Sequence, residues 1–340
     1  MPTTMKVMQI QDTWSPDSIR RAERPVPEPG PGEVLLRMEA ASLNYRDYVM
    51  ANGGYGRRGG KLPLVPCSDG AGRVVAAGPG VSRVAVGDLA CPIYGQTWWS
   101  GPFREAHWAG ILGGPRDGVM QEYMGLSQEA VVRAPRHLDA VQAATLPCAA
   151  VTAWNAVVAQ GRVKAGDVVL VQGTGGVSLF ALLFAKMHGA RVIATSSSDA
   201  KLERVRAMGA DHVVNYKTNP DWHKVAREAT NGVGVDLVVE VAGTLDASVR
   251  AVRTSGTLAL IGVLAGATAQ LGLGAVVTQN IRLQGITVGN RDRFEDMARA
   301  MEIHRTEPPV DARLFAFDEV GEAIKTLPQG QHFGKVCSRF

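Results

Sequence analysis

The chain is poor in several features that mark common protein classes. It has four cysteines, Cys67, Cys91, Cys148 and Cys337, and no two of them form a C-x-x-C pair. That spacing excludes a zinc ribbon and a thioredoxin-like redox motif. Neither sign of charge is in large excess: 36 Lys and Arg stand against 32 Asp and Glu, dispersed along the chain, for a formal net charge of +4. So mild a balance argues against nucleic-acid binding. No uninterrupted apolar run is long enough to span a bilayer, so no membrane partner is expected. The start, MPTTMKVMQI, lacks a basic segment leading into an apolar one, so no secretory signal is expected either. A reduced, cytoplasmic setting is the expectation.

What is present suits an enzyme of two domains. At 340 residues the chain is too long for one ordinary core. Thirty-nine glycines with only 6% aromatics imply many tight turns, as in an α/β or barrel-containing protein. Up to about Ala149 the texture is Gly- and Pro-rich with short β-branched runs: Glu33 to Met38, Gly72 to Ala77, Ala130 to Arg133. Short strands separated by turns fit a small antiparallel barrel.

From about Ala150 to Val288 the rhythm becomes strand, helix, strand. Asp167 to Gln172, Ala190 to Thr195, Asp211 to Asn215, Val235 to Val241 and Gly256 to Val263 read as strands. Val177 to His188 and Ala200 to Met208 read as helices between them. Apolar strands alternating with helices predict a parallel sheet covered on both faces. The last zone begins with a helix near Phe294 to His304 and ends in a strand over Gly334 to Arg339.

The first strand of the middle zone runs into Gly173-Thr174-Gly175-Gly176-Val177-Ser178. Glycines at a strand-to-helix turn let backbone approach a pyrophosphate, and the helix N-terminus offers free N–H groups to it. The third glycine of the usual fingerprint is replaced by Ser178. At the end of the second strand, an NAD-binding fold places a carboxylate for the ribose hydroxyls. Here stand Ser196, Ser197 and Ser198, followed by Lys201, with Asp199 expected to cap the next helix. Hydroxyls and an ammonium accommodate a 2′-phosphate that a carboxylate would repel. The expected cofactor is NADPH, with NADH as the alternative.

Further segments follow in a fixed order. They are Ser68-Asp69-Gly70-Ala71-Gly72-Arg73-Val74, Gly78-Pro79-Gly80-Val81, Val86-Gly87-Asp88, and Asp117-Gly118-Val119 leading to Glu122-Tyr123. Then come Ala143 to Trp154 (AATLPCAAVTAW), Gly209-Ala210-Asp211 with Asn215-Tyr216, and Gly334-Lys335-Val336. With the glycine turn, this set resembles the medium-chain dehydrogenase/reductase superfamily over nearly the whole chain. The resemblance implies an α/β protein: a GroES-like β-barrel catalytic domain over 1–149 and 289–340, and a Rossmann doubly wound parallel-sheet domain over 150–288. It places the active site between them. It also implies cofactor contacts from Thr152, Lys201, Tyr216, Gly262, Val263, Leu264, Asn290 and Lys335. A homodimer and a small-molecule substrate are expected on the same ground.

Alcohol dehydrogenases of this kind hold a catalytic zinc. Aligned with them, Asn44 stands in place of the first cysteine ligand and Ser68 in place of the histidine, with Cys148 alone at the third position. One thiol with an amide and a hydroxyl is a poor zinc set. The lobe of structural cysteines corresponds to Pro92 to Gly114, which contains none. No metal is therefore expected. Asn44-Tyr45-Arg46-Asp47 resembles the zinc-free branch, with its quinone oxidoreductases and enoyl reductases. That implies hydride transfer from NADPH to a quinone or an α,β-unsaturated carbonyl acceptor. The competing expectations are an alcohol dehydrogenase or aldehyde reductase of the same fold, and a catalytically idle NADPH-binding protein.

Without a metal, charge developing on the acceptor oxygen must be met by hydrogen-bond donors. Asn44, Tyr45, Arg46 and Tyr55 are the candidates. Tyr55 follows Gly53-Gly54, where enoyl reductases of this family place an active-site tyrosine. Asn44 either serves the substrate or braces backbone; Asp47 is expected to orient Arg46. Cys148 is expected to pack rather than react. Trp98, Trp99 and Trp108 in the 92–114 insertion wall a substrate pocket, cover the barrel or meet a second subunit.

Overall fold

In the computed structural model, which describes residues 2–262, 264, 266 and 268–340, the chain packs as two units. One comprises Met1–Val151 and Gly289–Phe340, the other Thr152–Val288. The first division lies two residues past the point where the sequence texture changes, within a helical run through Val151–Trp154.

The first unit opens with an antiparallel pair, β1 (Thr4–Ile10) and β2 (Ile19–Pro25). Next come β3 (Glu33–Ser42), β4 (Asp69–Ala77), β5 (Leu89–Pro92), β6 (Tyr123–Ser127) and β7 (Val131–Arg133). Strand β3 is the hub: it pairs antiparallel with both β4 and β6, and its inward residues Val34, Leu36 and Ala41 are fully buried. The chain then leaves for the second unit.

There the strands are β8 (Val168–Gln172), β9 (Arg191–Ser196), β10 (His212–Asn215), β11 (Val235–Glu240), β12 (Val252–Leu260) and β13 (Arg282–Gly285). All pair in parallel, in the order β10-β9-β8-β11-β12-β13. Every residue of β8 is buried, as a strand covered on both faces requires. The strand order reverses between β8 and β11, so the carboxyl ends of those two strands flank the switch point of the sheet.

After Val288 the chain returns to the first unit with the helix Arg291–His304, then β14 (Val310–Ala316) and β15 (Lys335–Arg339). Strand β15 pairs antiparallel with β3, Cys337 facing Ser42. It completes a seven-stranded sheet in the order β14-β15-β3-β4-β5-β7, with β6 on β3. Among the described residues no helix is long and apolar enough to cross a membrane.

Two local expectations are corrected. Ser198, not Asp199, caps the helix Asp199–Ala207: its hydroxyl accepts the Lys201 N–H at 3.4 Å. Asp199 is the first helical residue and accepts the Asn215 side-chain amide at 2.8 Å. The helix that opens the final zone starts at Arg291, three residues before Phe294, because Asn290 caps it through the Arg293 N–H.

The core of the second unit turns on an aromatic contact. Phe184 is fully buried, stacked on Phe180 with ring centroids 5.9 Å apart and edge-on to Trp154 at 5.2 Å. Phe184→Ala is expected to lower the unfolding free energy by about 3–5 kcal/mol, read from denaturant unfolding; a loss below 1 kcal/mol would mean that this cluster does not hold the unit together.

Candidate active site and nucleotide turn

Each unit carries one candidate site. In the first, strand β3 ends at Ser42 and the helix Tyr45–Ala51 begins three residues later, so residues 43–47 turn sharply. Asp47 holds that turn: its Oδ2 accepts the Asn44 backbone N–H at 2.8 Å, the returning half of a capping box. Asn44 therefore does not cap with its own side chain. Its Oδ1 accepts a hydrogen bond from Lys335 Nζ at 2.5 Å, and the same ammonium donates to the Leu43 carbonyl at 2.6 Å.

Asp69 opens β4 directly across from Ser42. Its Oδ1 accepts the Ser68 hydroxyl at 2.6 Å and its Oδ2 the Cys148 backbone N–H at 3.0 Å. The Asn44 amide lies close enough to favour the ionised Asp69, though its nitrogen does not meet hydrogen-bond geometry with any partner. Burial pushes the Asp69 carboxyl up, with Lys335 the main opposing charge. Just before it, Cys67 holds a left-handed φ of 68°, strained for a residue with a β-carbon. Its backbone is hemmed in by Gly113 and Gly118: a methyl at Gly118 would stand 1.9 Å from the Cys67 carbonyl oxygen.

Arg46 completes the cluster. Its side chain is only 9% exposed. Nη1 donates to the Leu112 carbonyl at 3.0 Å and to Asp47 Oδ1 at 3.3 Å, and Nη2 reaches the Gly114 carbonyl at 3.4 Å. The guanidinium carbon sits 5.2 Å from the Tyr94 ring centroid and 5.9 Å from that of Tyr55. Nε is buried and has no partner. Burial opposes its charge, and the Asp47 carboxylate in contact with it favours the ionised guanidinium. Burial in turn pushes the phenols of Tyr55 and Tyr94 up, so both stay protonated. Cys148 is pushed up as well, chiefly by burial, which suits a packing thiol better than a nucleophile.

The second unit carries the glycine turn. Gly173 has φ +75°, and a β-carbon added at Gly173 or Gly175 would meet no atom within 4 Å, so the turn presents an open face. Gly175 caps the helix Gly176–Met187 without a side chain, leaving the first-turn N–H groups to that face. Thr174 is buried, and Ser178 donates its hydroxyl to the Gln172 carbonyl at 2.5 Å. At the next strand end, Ser196 pairs with Asn215, and the Tyr216 N–H donates to the Ser196 carbonyl at 3.0 Å. This brings Ser196, Ser197, Lys201 and Tyr216 to one corner, with the nearby Asp199 carboxylate already engaged by Asn215. An open glycine turn at a helix N-terminus fits a dinucleotide pyrophosphate.

The remaining expected residues divide. Asn44, Arg46, Tyr55 and Lys335 come together in the first unit, Lys335 against Asn44 rather than in the nucleotide unit. Tyr45 does not join them: it is 41% exposed and its ring rests on Tyr48 at 5.8 Å. Thr152 is buried at the start of the second unit. Gly262 is a packing glycine, since a β-carbon there would stand 2.4 Å from the Val241 carbonyl oxygen. Leu264 is exposed, and Val263 lies outside the described residues. Asn290 is spent on structure: one end of its amide caps a helix and the other donates to the Gly101 carbonyl at 3.0 Å.

The 92–114 insertion covers its own unit. Trp98 is buried, edge-on to Phe103 at 4.9 Å, and the Trp98 and Trp99 carbonyls accept the Arg291 and Asp292 N–H groups. Tyr94, Gln172 and Glu240 were not anticipated from sequence. Among the described residues no group of three or more His, Cys, Asp or Glu is arranged to hold a metal ion.

Comparison with known proteins gives two matching families, described as alcohol dehydrogenase GroES-like domain over residues 30–136 and zinc-binding dehydrogenase over residues 176–302. The zinc-type alcohol dehydrogenase-like protein C1773.06c of Schizosaccharomyces pombe is 42% identical, over 94% of each chain. The 2-methylene-furan-3-one reductase of Solanum lycopersicum is 28% identical, over 99% of this chain and 79% of that one. A solved Sinorhizobium meliloti 1021 protein of the alcohol dehydrogenase type superposes with a TM-score of 0.94 at 40% identity, covering 100% of both chains.

Asp47 offers a direct check on the buried cluster. Burial, only partly offset by Arg46, pushes its carboxyl from 3.8 up to about 6. The folded protein thus holds this proton more tightly than the unfolded chain, and the carboxyl's contribution to stability falls as pH rises between those values. The unfolding free energy of the wild type relative to Asp47→Asn is expected to fall by ~3 kcal/mol from about pH 4 to about pH 7. A difference that stays constant over that range would show an ordinary carboxyl.

Proposed function

Because the chain belongs to the medium-chain dehydrogenase/reductase superfamily, and is thereby an oxidoreductase of the nicotinamide-dependent kind, we propose that it is a zinc-independent reductase. It uses NADPH to reduce a quinone or an α,β-unsaturated carbonyl compound. The observation that carries this reading is Arg46, a buried guanidinium caged by two tyrosines with Nε unpartnered. A fixed, desolvated cation beside protonated phenols suits an acceptor whose oxygen gains negative charge.

A bound reduced nicotinamide would supply the hydride. The glycine turn Gly173–Val177 would hold the pyrophosphate on its open face, and the hydroxyls of Ser196 and Ser197, with Lys201 and Tyr216, would receive the 2′-phosphate. In the first unit, Tyr55 donates a hydrogen bond to the acceptor oxygen, and Arg46 stabilises the negative charge that develops there. Asp47 keeps Arg46 in place through the 3.3 Å contact. For an enone, hydride addition at the β-carbon would leave an enolate, and one proton from solvent at the α-carbon would complete the reduction.

Zinc chemistry does not suit the residues present, although one matching family is described as zinc-binding. Asn44 Oδ1 already accepts from an ammonium, and the Ser68 hydroxyl donates to Asp69. Of the three aligned ligand positions only Cys148 keeps a soft ligand, too few for a tetrahedral N/S site. No step is routed through a metal.

The name of the Schizosaccharomyces pombe relative favours alcohol dehydrogenation as the second reading. One experiment separates the two: NADPH oxidation against quinones, enones, enoyl thioesters and aldehydes in parallel, with metal analysis of the same sample. The expected outcome is turnover of an enone or quinone, substoichiometric zinc, and a kcat roughly a hundredfold lower for Tyr55→Phe with NADPH affinity unchanged. Stoichiometric zinc with activity lost to chelators would establish the alcohol dehydrogenase reading. Tight NADPH binding without consumption of any acceptor would leave a binding protein.

The proposed assembly is a homodimer. Strand β13 pairs only with β12 among the described residues, and Leu273 and Val277 on the preceding helix are 68% and 72% exposed. Light scattering is expected to give twice the chain mass; a monomer at micromolar concentration would remove the dimer from the proposal.

A further inference from the structure

The usual dinucleotide fingerprint has glycine where this chain has Ser178, and the structure gives that serine a specific contact. Ser178 is buried in the first turn of the helix Gly176–Met187. Its hydroxyl donates to the carbonyl of Gln172, the last residue of β8, at 2.5 Å. The two residues bracket the glycine turn, so one hydrogen bond closes the turn upon itself.

The other side of Gln172 is held as firmly. Its side-chain Nε2 donates to Glu240 Oε2 at 3.0 Å and to the Ser248 hydroxyl at 2.9 Å, while its Oε1 accepts the N–H groups of Val241 at 3.2 Å and Ala242 at 3.1 Å. Glu240 ends β11 across the switch point and is 1% exposed. Its Oε1 accepts the N–H groups of Ala242, Gly243 and Thr244 at 3.1, 2.7 and 3.2 Å, and its Oε2 also accepts the Ser248 hydroxyl. A buried carboxylate with so many donors is fixed in place. It ties the loop after β11 to the end of β8.

We propose that Ser178, Gln172 and Glu240 form a clamp that fixes the glycine turn in the shape a dinucleotide pyrophosphate requires. Ser178 is then a positioning residue for the cofactor rather than a tolerated departure from the fingerprint. The proposal rests on the nicotinamide reading above. A turn already in its binding shape does not have to be ordered when ligand arrives, and affinity gains by that amount. The clamp touches no reacting atom, so it acts on cofactor binding and leaves the rate at saturation alone.

The test compares the full-length wild type with Ser178→Ala, Ser178→Thr and Glu240→Gln. Titration calorimetry with NADPH and with NADH gives Kd, steady-state assays give kcat at saturating cofactor, and thermal unfolding reports the stability of the free protein. Ser178→Ala leaves a buried carbonyl without its donor and is expected to weaken both dinucleotides about tenfold with kcat unchanged. Ser178→Thr keeps the hydroxyl and stays near the wild type. Glu240→Gln sets an amide donor against the Gln172 donor and weakens binding in the same way with Ser178 intact. Wild-type affinity in Ser178→Ala, while the wild type itself binds, overturns the clamp alone; so does a kcat that falls while Kd holds. A wild type that binds neither dinucleotide overturns the clamp together with the cofactor reading.

Discussion

Charge taken out of water has to be neutralised where it lies, and the first unit is organised around that requirement. Asp47 and Asp69 are buried, and so are Lys335 and the Arg46 side chain. A lone ion in such surroundings costs several kcal/mol, so each carboxylate needs its cation. Arg46 answers Asp47 by direct contact. Lys335 answers Asp69 through Asn44, whose amide oxygen takes the ammonium while its nitrogen faces the carboxylate. Once the charges are paired, the turn after β3, the start of β4 and the last strand have little freedom left. The strained backbone at Cys67 is one result: closely packed glycines and the hydrogen bonds of Asp69 hold it where an isolated residue would relax.

The same pairing sets the character of this cluster. Asn44 and Ser68 place an amide and a hydroxyl beside the buried Asp69, and Lys335 reaches that group through the Asn44 oxygen. Arg46 adds a buried guanidinium held by Asp47 and two backbone carbonyls. Under the proposed reaction, charge fixed in this way stabilises an incipient anion without reorganising.

Much of this architecture was legible in the sequence because it is written in local pattern. The apolar run that becomes β8, the glycine turn after it and the strands that follow are properties of neighbouring residues, and β8 to β11 fall within a residue of the expected bounds; β12, expected over Gly256 to Val263, instead runs Val252–Leu260. The domain resemblance, too, rests on short segments in fixed order. What stayed hidden is what depends on partners far away in the chain. Tyr94 gives no signal of its own; it matters only because Arg46 lies against its ring. Glu240 looks like the end of an apolar strand until its donors from residues 172, 242, 243, 244 and 248 are seen together. Asn290 and Gly262 also have structural duties that depend on distant or folded neighbours: one caps a helix and the other makes room for a carbonyl. Tyr45 was grouped with its neighbours by adjacency, and the helical turn it opens points it outward instead.

The discontinuity of the first unit bears on how the protein is made. Residues 152–288 form one uninterrupted segment and contain every strand of their own sheet, so nothing in that unit waits for later chain. The barrel is different. Strand β3 lacks its β15 neighbour, and Asn44 and Asp69 lack their cation, until Lys335 has left the ribosome. During synthesis the nucleotide unit therefore has all its parts while the chemical site is still short of a counter-ion. A chain released early would carry a complete cofactor fold joined to a barrel with an uncompensated charge at its centre.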